Sequence, residues 1–320
     1  MGKASRLLSI LLLLTVACRR GRKPEPSAIE AVRTAAQVKQ LLASVDSSYA
    51  EFNIDSVIQL QDKRVERQYR KAGVKAWEKA DLDSNGRTDL LVNGWWNDGT
   101  AYEETSQAIC LMDLGEGKLK LESFGRHFTR YGPIARVIWR SKRPLLSYTD
   151  FAPPILRVDS LKDEQLFLLT YKFGGFVEYN EQPNPSAALD SITYKSDFAY
   201  DDVLIKKLTL NAAGQAVYHS CEYPVLEVRK KTYVAKSTVV TPTALAEIKA
   251  LVGYIDPNKL KPEYRVSMNH EPYTYLTLAY HGGPKVKVFD YGEEGTFGLM
   301  RLYALLGQLR KNQSWQPVKP

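Results

Sequence analysis

The stretch Thr88-Asp89-Leu90-Leu91-Val92-Asn93-Gly94-Trp95-Trp96 is followed by Gln107-Ala108-Ile109-Cys110-Leu111-Met112-Asp113-Leu114. The turn Gly115-Glu116-Gly117 then leads into Lys118-Leu119-Lys120-Leu121-Glu122-Ser123-Phe124. These are short runs rich in β-branched, aromatic and aliphatic residues, separated by turn residues, so they read as strands. The glycine pair makes the last two a hairpin. Antiparallel β structure is therefore the expectation for this part of the chain.

Working outward, residues 134–140, 145–149, 166–173 and 176–179 continue the β pattern as far as the loop Glu181-Gln182-Pro183-Asn184-Pro185. Upstream, Ser27-Ala28-Ile29-Glu30 has the form of a capping box. Ile29, Val32, Ala36, Leu41 and Val45 recur near helical spacing, which predicts one helix running to about Val45. From Asn53 onward the reading is strand-like throughout. In the C-terminal part, 203–210 and 215–222 read as a hairpin around Asn211-Ala212-Ala213-Gly214. Thr241-Pro242 starts a helix whose face is Leu245, Ile248 and Leu251, with Gly253 as its stop. Residues 273–280 and 285–291 form a second hairpin around His281-Gly282-Gly283, and Leu299, Leu302, Leu306 and Leu309 mark a final helix. The fold class expected is α+β. It comprises an N-terminal helix and a mainly antiparallel β domain over 28–199, then a smaller α+β domain over 200–320 in the order hairpin, helix, hairpin, helix.

The 320 residues carry a formal charge of +8, but most of it sits in the first 27 positions. From Ala28 onward there are 38 basic and 35 acidic residues. A body so nearly neutral speaks against a nucleic-acid partner. Beyond the N-terminal segment no apolar run approaches the roughly 20 residues that span a bilayer, which excludes multi-pass membrane folds. Residues 1–6 hold Lys3 and Arg6, 7–16 are an apolar run of ten, and Ala17-Cys18 close it. That is the pattern of a secretion signal over 1–17. Leu14-Thr15-Val16-Ala17-Cys18 resembles the lipobox of bacterial lipoproteins, although Thr15 stands where leucine is usual. The resemblance implies that the Cys18 thiol is acylated and becomes the new N-terminus, anchoring the protein to a membrane of the cell envelope. Residues 18–27, with Arg19, Arg20, Arg22, Lys23 and two prolines, read as a solvated tether.

Asp81-Leu82-Asp83-Ser84-Asn85-Gly86-Arg87-Thr88-Asp89 is the most specific motif in the chain. It sets side-chain oxygens at positions 1, 3, 5 and 9, glycine at 6 and the Arg87 carbonyl at 7. Calcium takes six to eight oxygens at about 2.4 Å, and this spacing folds most of them around one ion. Val92 occupies position 12, where an EF-hand has a glutamate, and a strand follows instead of a helix. The loop thus resembles the calcium loop of FG-GAP and related propeller repeats, which implies Asp81, Asp83, Asn85, Arg87 and Asp89 as ligands. A metal-free turn rich in Asp and Asn is the plainer alternative.

The other chemistry-bearing residues assemble into nothing comparable. Cys110 and Cys221 are separated by 110 intervening residues and read as two buried thiols in preference to a bridge. His127, His219, His270 and His281 lack metal spacing. His219 and Cys221 share a strand face, but no orienting acid accompanies them. Trp95-Trp96 point to opposite sides of a strand, one free to stack on a sugar, with packing under a loop the better reading. Tyr131, Tyr148 and Tyr171 read as packing residues of β runs.

Ile205-Lys206-Lys207-Leu208-Thr209-Leu210 with Gly214, the helix after Thr241, Thr274-Tyr275-Leu276-Thr277-Leu278, Val286-Lys287-Val288-Phe289-Asp290-Tyr291 and the terminal helix together resemble a bacterial domain family of unknown function, number 6438. Asn269-His270 departs from its pattern. The resemblance implies a secreted or lipid-anchored protein and no known catalytic residue. The expectation is a lipid-anchored envelope protein that binds or scaffolds a protein or glycan partner, with a structural calcium ion. A secreted hydrolase is the alternative.

Overall fold

A computed structural model describes residues 27–54, 63–97, 104–124, 133–151, 164–183, 189–197, 206–222, 232–266 and 271–318. The fold is mainly β, built on three largely antiparallel sheets with few helices. The leader, the tether from Cys18 to Pro26, Tyr131, His127, His270 and the Cys221 side chain lie outside the described residues, while Ser27, expected as the tether's last residue, is the buried N-cap of the first helix.

The first sheet holds β1 (Asn53–Ile54), β2 (Trp77–Ala80), β3 (Asp89–Asn97), β4 (Glu104–Asp113) and β5 (Leu119–Ser123). β3 pairs with β4 on one side, and on the other with β2 and β1 end to end. The period of two in a strand divides β3 and β4 between two cores. Leu90, Val92, Ile109 and Leu111 pack against Ile29, Val38, Leu42 and Phe52. Leu91, Ala108, Cys110 and Met112 face Ala135, Leu146, Tyr148 and Leu169 of the second sheet. Both faces are thus covered, which is why these strands read as nearly continuous apolar runs. Cys110 is a free, fully buried thiol. Gly94 is where β1 crosses close to β3, since a Cβ there would stand 2.3 Å from the Asn53 carbonyl oxygen and 2.5 Å from the Phe52 ring.

The helix expected over residues 27–45 is two helices, α1 (Ala28–Ala31) and α2 (Ala35–Val45). Thr34 is extended and opens α2 with a reciprocal capping box to Gln37, while Lys79 donates to the Glu30 and Val32 carbonyls at the end of α1. Good caps on both sides make two short helices satisfy more backbone groups than the bend alone would leave. A further helix, α3 (Lys63–Ala72), stands where the sequence reads as strand. Val65, Tyr69 and Ala72 recur along it at helical spacing, and the buried Tyr69 hydroxyl donates to the Pro133 carbonyl at 2.7 Å.

The second sheet is a meander of β6 (Ile134–Arg140), β7 (Arg143–Phe151), β8 (Glu164–Lys172) and β9 (Gly175–Glu178). Its two-residue turns, Ser141-Lys142 and Phe173-Gly174, have positive φ at both positions. This is the turn whose twist matches paired strands. β9 splits its side chains, with Phe176 in the core between the first two sheets and Val177 in the core of the third.

The third sheet contains β10 (Leu189–Asp197), β11 (Lys206–Asn211), β12 (Gln215–Glu222), β13 (Thr232–Val239), β14 (Glu263–Arg265), β15 (Tyr273–Tyr280), β16 (Val286–Tyr291) and β17 (Gln316–Pro317). Their order is β14-β16-β15-β10-β11-β12-β13-β17, with β14 parallel to β16 and the other pairs antiparallel. One face packs Ile192, Leu208, Leu276, Leu278 and Val288 against two helices, α4 (Pro242–Ile255) and α5 (Phe297–Asn312). Two differences from the sequence reading stand out. β10 lies at the centre of this sheet, between β11 and β15, so a division at 199/200 separates it from its hydrogen-bonding partners. Helix α4 runs through buried Gly253 to Ile255 and stops at Asp256, whose φ of 50° is left-handed. Among the described residues no helix is long and apolar enough to cross a membrane.

Candidate metal centre

The loop between β2 and β3 turns sharply because Ser84 and Gly86 both adopt positive φ, 62° and 81°. Asp81 and Asp83 then accept from the backbone they precede. The Asn85 N–H reaches Asp81 Oδ1 at 3.0 Å and Asp83 Oδ1 at 3.1 Å, and the Gly86 N–H reaches Asp81 Oδ2 at 2.9 Å. These are the local bonds by which aspartate favours turns.

Asp89, the first residue of β3, is fully buried and closes the loop. Its Oδ2 accepts from the Leu82 N–H at 2.7 Å and its Oδ1 from the Asp113 N–H at 2.8 Å. One ligand atom from each of Asp81, Asp83 and Asp89 lies within 4.8 Å of the others. Burial pushes the Asp89 carboxyl up to about 7 against those two backbone bonds, and the charges of Asp83 and Asp81 push in the same direction. Asp83 is raised too, first by burial and then by Asp81. Three carboxylates gathered this closely repel one another, and a cation among them reverses that repulsion.

The side chains of the other two expected residues, Asn85 and Arg87, have these partners. Asn85 turns its Oδ1 to the Arg87 N–H at 2.8 Å, and its amide nitrogen donates to Asp83 Oδ2 at 2.9 Å and to the Asp113 carbonyl at 2.7 Å. Arg87 enters through its guanidinium, with Nε donating to Asp113 Oδ1 at 2.8 Å. Asp113, at the end of β4, is a residue that sequence reasoning missed. It is buried, and burial alone would raise its carboxyl. Bonds from Arg87, Ser27 and the Gly115 N–H outweigh that and hold it below the ordinary carboxylate value. No local signal marks it, because its link to the loop spans 24 positions and exists only once β3 and β4 pair.

Elsewhere, Trp96 packs with Tyr49 and Phe52 at ring distances of 5.1 Å, as expected of a core residue. Tyr148 is buried, donating to the Phe124 carbonyl, and Tyr171 is half-buried against Phe176. His219 and His281 are exposed. No protein-family model matches the chain, and no curated protein matches it either.

Proposed function

We propose that the protein is a lipid-anchored binding or scaffolding protein of the cell envelope whose first sheet is braced by a calcium ion. The observation that carries this reading is the convergence of Asp81, Asp83 and Asp89 within 4.8 Å at the mouth of β3. Their donor set is all hard oxygen, the chemistry that suits calcium and magnesium over transition metals. Asp81, Asp83 and Asp89 would hold the ion, which supplies charge neutralisation and a fixed loop. Asn85 and the Arg87 carbonyl, at positions 5 and 7 of the loop, would complete the set, while the Arg87 guanidinium is bonded to Asp113. The resemblance of the loop to FG-GAP repeats supports calcium, and that of the C-terminal residues to family 6438, with its α+β order of hairpin, helix, hairpin and helix, supports a secreted or anchored binding protein. The lipobox-like ending at Cys18 supports the anchor.

Two variants test the two halves. Calorimetric titration of the wild-type chain should give one calcium per chain with a dissociation constant around 10⁻⁴ to 10⁻³ M, the range of extracellular modules, and Asp81→Ala with Asp83→Ala should remove it. Expressed in bacteria with its leader, the wild type should enter the detergent phase and Cys18→Ala should leave it. Heat-silent titration rejects the calcium, and unchanged partitioning of Cys18→Ala rejects the anchor.

A further inference from the structure

At one end of the third sheet, the face packed on α4 and α5 changes from apolar to polar. Register sets Tyr194, Leu276 and Val288 in one row across β10, β15 and β16, and Ser196, Thr274 and Asp290 in the next row on the same face. The second row is as deeply buried as the core it continues, with Ser196 2%, Thr274 0% and Asp290 1% exposed. Buried polar groups are costly unless they are bonded, so this row needs partners.

The partners come from the strap 292–296, which joins β16 to α5. Glu293 turns back over the sheet, and its Oε1 accepts from the Tyr194 hydroxyl at 2.9 Å, from Ser196 Oγ at 3.0 Å and from Thr274 Oγ1 at 2.5 Å. It does so at a left-handed φ of 58°, a conformation that residues with a Cβ rarely adopt. Gly295 lets the strap close on Asp290. Its N–H donates to Oδ2 at 3.0 Å, and a Cβ there would stand 2.7 Å from that oxygen. The Tyr303 hydroxyl of α5 donates to the same oxygen at 3.2 Å, while Asp290 Oδ1 is buried and has no partner.

An ionised carboxylate at this depth needs a cation or donors at both oxygens. Among the described residues neither Asp290 nor Glu293 is paired with a cation. The titratable groups around Asp290 are Glu293 and Glu294 on the strap, Tyr303 on α5, Tyr264 on β14 and Tyr194 on β10. Lys206 of β11, the basic position of this row in register, lies three strands away from Asp290. Burial raises the Asp290 carboxyl above its ordinary value against the bonds it accepts, and the Glu293 charge adds to the rise. Burial also pushes the Tyr194 and Tyr303 hydroxyls up, so both stay donors. Oδ2 already accepts two bonds, which leaves Oδ1 as the place for a proton.

We infer that the strap is a pH-sensitive latch: Asp290 keeps a proton on Oδ1 while Glu293 grips three hydroxyls of the sheet, and losing that proton sets two uncompensated carboxylates together and frees the strap. A freed strap uncovers the row Ser196, Thr274 and Asp290. The closed chain holds the proton more tightly than the open or unfolded chain, so the stability it contributes is fully present below pH 3.8 and is lost as pH rises through the folded value.

Denaturant unfolding of the full chain in chelator from about pH 4 to 9, wild type against Asp290→Asn, tests the proton. Asparagine keeps a carbonyl for Gly295 and Tyr303 and sets an amide where the protonated oxygen stands. Both proteins carry Asp89, whose own titration cancels in the difference. The wild type should lose stability relative to Asp290→Asn as pH rises. Hydrogen exchange of the peptide 291–298, corrected for the intrinsic rate, tests the latch. Its protection in the wild type should fall by about tenfold for each pH unit in which the closed strap alone holds the proton. Glu293→Gln keeps Oε1 as an acceptor and removes the second charge, so it should hold the strap shut to higher pH. A wild type that runs parallel to Asp290→Asn, or gains on it as pH rises, overturns the neutral acid. Protection that stays level while stability falls, or that falls equally in Asp290→Asn, overturns the latch. Should Asp290→Asn fail to fold, the wild type and Glu293→Gln decide, and the same pH course of exchange in both overturns the inference.

Discussion

Asp89 shows how one buried carboxyl couples a turn, two strands and an acidic cluster. Its two oxygens accept the Leu82 and Asp113 N–H groups, so the side chain ties the loop to β4 in any protonation state. With its folded value pushed up to about 7 and an unfolded value near 3.8, the folded chain holds this proton more tightly than the unfolded one. The contribution of Asp89 to stability is therefore fully present below pH 3.8 and is lost as pH rises through 7. In chelator, denaturant unfolding should show stability falling between pH 5 and 7.5. Asp89→Asn should be less stable throughout, having one acceptor oxygen fewer, and should show a flatter dependence over that interval. Equal slopes in the two proteins would contradict this account. The convergence of Asp81, Asp83 and Asp89 was legible because turn chemistry and carboxylate spacing are written in nine consecutive residues. Asp113 was not, because its part depends on strand pairing across 24 positions.

At the scale of elements, the start of α5 is capped from the second sheet by one side chain, beside the packing of Phe297 on Tyr148 and Phe167. Glu178, the last residue of β9, accepts the Phe297 N–H at 2.7 Å through Oε1 and the Gly298 N–H at 2.8 Å through Oε2, and Thr296 accepts the Leu299 N–H at 3.0 Å. The first three N–H groups of the helix are thereby satisfied, and the carboxylate faces the positive end of the dipole. Glu178→Ala should cost about 1.5–3 kcal/mol, the worth of hydrogen bonds to a charged group, with Glu178→Gln intermediate. An unchanged urea midpoint in the alanine variant would refute that role. Elements whose pattern is local, such as β15, β16 and α5, were readable from alternation or helical spacing. β10 was not, since a register shift between Leu189 and Ser191 interrupts its period of two. α3 was harder to read, because six of the ten residues of Lys63–Ala72 are charged and Val65, Tyr69 and Ala72 are all the apolar spacing it shows.

Over the whole molecule, the cores are stacked in series. The N-terminal helices cover the first sheet, the first sheet packs on the second, and β9 carries Phe176 into that core and Val177 into the core of the third sheet. The carboxylate loop stands at the start of β3, the strand paired on both sides within the first sheet, so an ion there would restrain the element on which two cores depend. The mainly β character was foreseeable from the alternation of short runs, but the pairing of β10 was not, because it finds both its partners, β11 and β15, later in the sequence.

Thermal melting in chelator and in calcium tests the bracing most directly. At free calcium ten times the dissociation constant, mass action adds about 1.4 kcal/mol, which raises the melting temperature of a chain this size by about 2 °C. The account predicts that rise in the wild type and its loss in Asp81→Ala with Asp83→Ala. A wild-type melting temperature that is the same in chelator and in millimolar calcium would contradict it.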